Sequence, residues 1–106
     1  MKLLINKITL LAVLLSINVV ADEFTIGQKN KAFSKENISI KKGDTIHFLN
    51  EDPFFHNVFS LSDTQFFDLG SYPKGESKAV VFNEAGKVEV ECAIHSEMFL
   101  TIEVKE

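Results

Sequence analysis

Arginine is absent from this chain, and cysteine occurs once, at Cys92. An acidic protein of formal charge −4 with no guanidinium fork lacks what phosphate recognition uses, which argues against nucleic acid as a partner. One cysteine excludes an intramolecular disulfide framework, a four-cysteine zinc site and a Cys-x-x-Cys-His haem attachment. Beyond residue 21, helical periodicity is missing too, as are internal repeats, low-complexity tracts and linkers. With 106 residues, one domain is the ceiling. A domain this small that has no disulfide often leans on a metal, which directs attention to metal-ligating side chains.

Lys2 and Lys7 flank the start of the apolar run Ile8 to Val20, which closes on Val19-Val20-Ala21. The run is short for a bilayer span and ends in small residues, so residues 1–21 read as a signal peptide cleaved after Ala21. The mature domain, residues 22–106, is then expected in a bacterial periplasm, with no membrane insertion after cleavage. Losing Lys2 and Lys7 takes the formal charge from −4 to −6. In that oxidising compartment a lone thiol invites damage unless something occupies it.

Across the mature domain, short alternating segments are separated by turn residues. Phe24 and Ile26, Ile38 and Ile40, and Ile46 and Phe48 each share one face of a strand. Lys41-Lys42-Gly43-Asp44 and Gly70 to Gly75 read as turns. Further strands are expected at His56–Leu61, Phe66–Leu69 and Ser77–Phe82. Val88, Val90 and Cys92 face inward on the next, and Leu100, Ile102 and Val104 on the last. Seven or eight such strands predict an all-β fold, an antiparallel Greek-key sandwich or barrel. The ten phenylalanines are expected to supply most of its core. Phe54-Phe55 and Phe66-Phe67 break the alternation, as loop residues over the core ends or as an apolar collar near His56. Glu51-Asp52 and Glu89/Glu91 read as a solvated acidic face.

Within seven positions the chain places its only cysteine, a histidine and the one methionine left after processing: Cys92-Ala93-Ile94-His95-Ser96-Glu97-Met98. Thiolate, imidazole and thioether are soft or borderline donors that suit copper better than calcium, magnesium or manganese. Cys92 ends an inward strand and Leu100 begins another, so the residues between them form a tight loop at one pole. A second imidazole must come from His47 or His56. His47 alternates with Ile46 and Phe48 and so faces solvent, whereas His56 follows a loop and sits at a pole. His56, Cys92, His95 and a weak axial Met98 match a type 1 copper site.

With these residues in view, the sequence resembles the cupredoxins of the plastocyanin and azurin class, and the two-residue gap between His95 and Met98 is most similar to amicyanin and to small exported proteins of methylamine utilisation. The resemblance rests on Gly43-Asp44-Thr45-Ile46, Asn50, His56-Asn57-Val58 and Cys92-x-x-His95-x-x-Met98. It implies one copper per chain, with His56, Cys92 and His95 as equatorial ligands and Met98 as the axial one. It also implies that the Asn57 amide points at the thiolate while its side chain ties the two ligand loops together. Ala93 departs from the pattern, since it offers no hydroxyl or amide to that side chain, and Ser96 stands where a proline is common. Glu91 and Glu97 are unusual beside an apolar docking surface.

Four protein ligands leave no open position for substrate, and His47 alone could not build a second copper centre. The expectation is therefore not an enzyme but a monomeric electron carrier cycling Cu(II)/Cu(I). The edge of His95 would be its port, and a dehydrogenase or c-type cytochrome its partner. The alternative is a periplasmic copper carrier that delivers metal to another protein. A Cys92/His95 hydrolase dyad would need an orienting group and an oxyanion hole that the sequence does not supply.

Overall fold

A computed structural model describes residues 20–106; the proposed signal peptide lies outside the described residues except for its last two. Nine strands follow one another: β1 Glu23–Lys29, β2 Ala32–Phe33, β3 Asn37–Lys41, β4 Thr45–Asn50, β5 His56–Leu61, β6 Phe66–Tyr72, β7 Ser77–Val81, β8 Gly86–Cys92 and β9 Phe99–Lys105. They form two sheets, ordered β2-β1-β4-β7 and β3-β9-β8-β5-β6, packed as a sandwich of the expected all-β class. The added element is the two-residue β2, too short to show alternation.

Two pairings depart from the antiparallel expectation. β1 runs parallel to β4, and β3 runs parallel to β9. Neither pair is joined by a hairpin, so local turn chemistry carries no sign of it.

The alternating segments bury the faces expected of them. Ile46 and Phe48 of β4, Val88, Val90 and Cys92 of β8, and Leu100, Ile102 and Val104 of β9 are all in the core. The phenylalanines behave otherwise, for only Phe33, Phe48 and Phe82 are buried. Phe24 and Phe67 pack against the core from its margin, and Phe54, Phe55, Phe66 and Phe99 are exposed. β-branched residues, Leu100 and Met98 supply much of the volume expected of phenylalanine.

Gly70 does not open a turn, since β6 continues to Tyr72. Leu69 and Gly70 stand against Val58 alone, between the pairs Asn57↔Ser71 and Phe59↔Asp68. That is a β-bulge, and Gly70 adopts φ 70°, where a Cβ would be strained.

The strand directions give the sandwich two distinct poles. One gathers the end of β4, the start of β5, the end of β8 and the start of β9. The other gathers the start of β1, the end of β3 and the end of β9, as the pairs Glu23↔Thr45, Lys41↔Lys105 and Gly86↔Val104 show.

At the second pole Asp44 is buried, and its carboxylate accepts the amides of Asp22 (2.8 Å) and Lys41 (2.7 Å). The bond from Asp22, then that from Lys41, holds this carboxyl below its ordinary range against the upward push of burial. A group depressed in the folded state adds stability that is complete above its unfolded value, about 4, and lost as pH falls through the folded value. Asp44→Asn is therefore expected to flatten the acid limb of the metal-free protein below about pH 4. Urea midpoints measured against pH check this, and an unchanged acid limb would refute it.

Candidate metal centre

β5 begins with His56 and β8 ends with Cys92, and the two strands are hydrogen-bonded neighbours with Val58 opposite Cys92. That pairing sets the thiol beside the first imidazole. Cys92 Sγ lies 3.6 Å from His56 Nδ1 and 3.9 Å from His95 Nδ1. The ligand atoms of His56, Cys92 and His95 all lie within 4.8 Å of one another. His56 and Cys92 are buried and His95 is half-buried. Met98 is buried at the end of the same loop, and its amide donates to the His95 carbonyl at 3.0 Å. One turn of chain thus returns from Cys92 through His95 to Met98.

His47 does not join them. It projects from the outer face of β4 and pairs with Glu23 at 2.6 Å, as a surface histidine would.

The Asn57 amide donates to Cys92 Sγ at 3.4 Å, so a backbone dipole points at the position of the thiolate. The tie between the loops is made by main chain, with the Ala93 amide donating to the Asn57 carbonyl at 2.9 Å. The Asn57 side-chain oxygen is buried and has no partner. Ala93, whose amide makes that tie, has no side-chain donor to offer it. Ala93→Ser adds a hydroxyl to the residue whose amide is tied to Asn57, and its donation to that oxygen is expected to add about 1 kcal/mol to the metal-free protein. In a domain of this size that raises Tm by about 4–8 °C, measurable by calorimetry; no rise would show that the hydroxyl makes no bond to that oxygen.

The loop before His56 is fixed by Asn50, which is fully buried. Its side-chain amide donates to the carbonyls of Phe54 and Tyr72, each at 2.9 Å, and its oxygen accepts the Asp52 amide at 2.8 Å. Tyr72, whose OH donates to the Phe48 carbonyl and accepts from Gln28, closes the layer beneath. Burial pushes the Tyr72 hydroxyl up to about 12, so it stays protonated as a donor.

Asp52 is the residue missed by reading Glu51-Asp52 as a solvated pair. Glu51 is exposed, but Asp52 is buried, with one oxygen 2.7 Å from His56 Nε2. Burial pushes its carboxyl up, and bonds from His56, Lys31 and Asn30 together outweigh that and hold it below the usual carboxylate range. An ionised carboxylate only accepts, so Nε2 is the nitrogen that carries a proton, and in the neutral ring Nδ1 turns its lone pair toward Cys92. The only sequence signal for this role is the four-residue interval from Asp52 to His56.

Phe54 covers the rings. Its centroid lies 5.3 Å from that of His56 and 5.4 Å from that of His95, and the two imidazoles are 5.0 Å apart. The collar reading holds for Phe54; Phe55 and Ile94 are exposed beside it in sequence, whereas Phe66 stands at the opposite pole. A thiolate and two imidazole lone pairs converging under an aromatic cover fit a borderline or soft metal ion.

The family "Copper binding proteins, plastocyanin/azurin family" matches residues 20–105. No curated protein matches. Among solved structures, a reduced Cu(I) form of an amicyanin variant is similar over 85% of this chain and 87% of its own, with 19% identity and TM-score 0.73. A purple cupredoxin from Nitrosopumilus maritimus is similar over 76% of this chain and 98% of its own, with 22% identity and TM-score 0.68. A Cu-containing nitrite reductase from Thermus scotoductus SA-01 matches 86% of this chain at 22% identity and TM-score 0.73. The chain spans only 24% of that reductase.

Proposed function

The chain belongs to the plastocyanin/azurin family of copper-binding proteins, and from that premise we propose that it is a one-electron carrier with His56, Cys92 and His95 as equatorial ligands and Met98 as the axial one. The observation that carries this reading is the convergence of Cys92 Sγ with two imidazole Nδ1 atoms. Copper bound there supplies the Cu(II)/Cu(I) couple.

The protein's part is to hold the donors still. Asn50 and Asp52 fix the approach of His56, and the Asn57 and Ala93 amides fix Cys92 against β5. A frame that needs little movement between oxidation states suits electron transfer, since preorganised dipoles cost no reorganisation at the moment of reaction. His95, half-buried between Phe54 and solvent, is the exit for the electron. The exposed Phe54, Phe55 and Ile94 around it offer an apolar contact for a redox partner such as a dehydrogenase or c-type cytochrome. The reading places the mature domain, residues 22–106, in the periplasm as a monomer, with residues 1–21 as the export signal.

Adding Cu(II) to the purified mature protein and recording its visible spectrum and voltammogram tests this. An intense thiolate-to-copper band with a reversible couple is expected. A missing band, or a band without a reversible couple, overturns the carrier reading; in the second case transfer of copper to a chelating acceptor would identify a metal carrier.

A further inference from the structure

The Asp52 carboxylate joins two parts of the chain that are distant in sequence. One oxygen accepts the Asn30 amide at 2.7 Å; the other accepts the Lys31 amide at 3.1 Å and lies 2.7 Å from His56 Nε2. Asn30 and Lys31 form the tight turn between β1 and β2, with φ of 56° and 58°. Two successive residues in the left-handed region are rare outside glycine. Here their amides fall on the two oxygens of one carboxylate, which compensates for that conformation and fixes the carboxylate in place.

We propose that Asp52 is a positioning residue through which the Asn30–Lys31 turn orients His56 and biases the copper site toward its oxidised state. The proposal rests on the ligand assignment above. Orientation follows from geometry: the proton on Nε2 is committed to Asp52, so Nδ1 is the ring's only free donor, and it faces Cys92. A histidine donating to a carboxylate is also a stronger ligand. The redox bias follows from charge. Asp52 places a second buried anion across the His56 ring from the thiolate, and among the described residues no lysine forms a salt bridge with it. The nearby Lys31 ammonium stands over the Phe54 ring, 5.9 Å from its centroid. An uncompensated anion close to a metal favours the higher metal charge, and it does so strongly where water is excluded.

The test uses the copper-loaded mature protein and its metal-free form. Asp52→Asn keeps the size and removes the charge. It is expected to retain the thiolate band while the ratio of Cu(II) to Cu(I) affinity falls about tenfold, which for one electron raises the potential by about 59 mV. Asp52→Ala is expected to shift the ratio the same way and also to strip the Asn30 and Lys31 amides of hydrogen-exchange protection. In the metal-free protein at alkaline pH, nitrogen NMR is expected to find His56 protonated on Nε2. An affinity ratio unchanged in Asp52→Asn, or a His56 proton on Nδ1 in the unsubstituted protein, overturns the proposal. Neither readout depends on whether Asp52→Ala folds. Absence of the thiolate band from the unsubstituted protein would instead overturn the ligand assignment, whereas the metal-free tautomer still tests the role of Asp52.

Discussion

Cys92→Ser is expected to abolish the intense visible absorption of the copper-loaded protein and to weaken copper binding by more than the roughly 10–100-fold typical of losing an outer-shell partner. The serine oxygen is a hard donor that stays protonated at neutral pH, so the site loses both its soft ligand and the negative charge that offsets the metal. The fold should survive. Cys92 is buried, but a serine hydroxyl there can accept the Asn57 amide that now donates to sulfur. Against a burial cost of about 1–3 kcal/mol for the hydroxyl, that bond returns part. Absorption spectra of the copper-loaded variant and urea unfolding of its metal-free form separate the two effects. A retained band would show that sulfur is not a ligand.

Asn50→Ala is the second large effect, and it acts without copper. Asn50 makes three side-chain bonds, and removing them leaves the Asp52 amide buried and unpaired and takes one donor from each of the Tyr72 and Phe54 carbonyls. Each such group costs about 1–3 kcal/mol, so a total loss of about 3–5 kcal/mol is expected. That is a large share of the stability of a domain this size. The loop that presents His56 should also loosen, which would broaden the spectrum of any copper still bound. Asn50→Asp keeps the acceptor for the Asp52 amide but sets an anion against two carbonyls, so it should fare no better. Urea midpoints of the metal-free proteins decide the matter. A loss below about 1 kcal/mol would mean that water replaces the side chain.

The candidate site was more legible in the sequence than the fold that holds it. Cys92, His95 and Met98 are scarce residue types at a short, fixed spacing, and their chemistry does not depend on knowing the topology. His56 could be preferred to His47 because alternation with Ile46 and Phe48 already turns His47 outward, and its contact with Glu23 agrees. Alternation likewise revealed β4, β8 and β9, whose inner faces are the core. The parallel pairings β1/β4 and β3/β9 left no local trace, because they join segments with no hairpin between them. Gly70 read as a turn because a bulge and a turn ask the same thing of glycine, a positive φ. Asp52 was hidden for a related reason. Beside Glu51 it looks like half of a surface pair, and what distinguishes it is a turn 21 and 22 residues earlier in the chain.

The separation of the two poles also governs how the protein can be handled. Asp22 and Lys105 both stand at the end occupied by Asp44 and Lys41, one sandwich length from His56 and Cys92. A linker joined at either position would depart on the side away from His95. Chains immobilised on an electrode through such a linker would share one orientation, with the aromatic collar turned to the solution and the whole β-sandwich between it and the conductor. Current through that arrangement should be weak, whereas adsorption through Phe54, Phe55 and Ile94 on an apolar monolayer should conduct well.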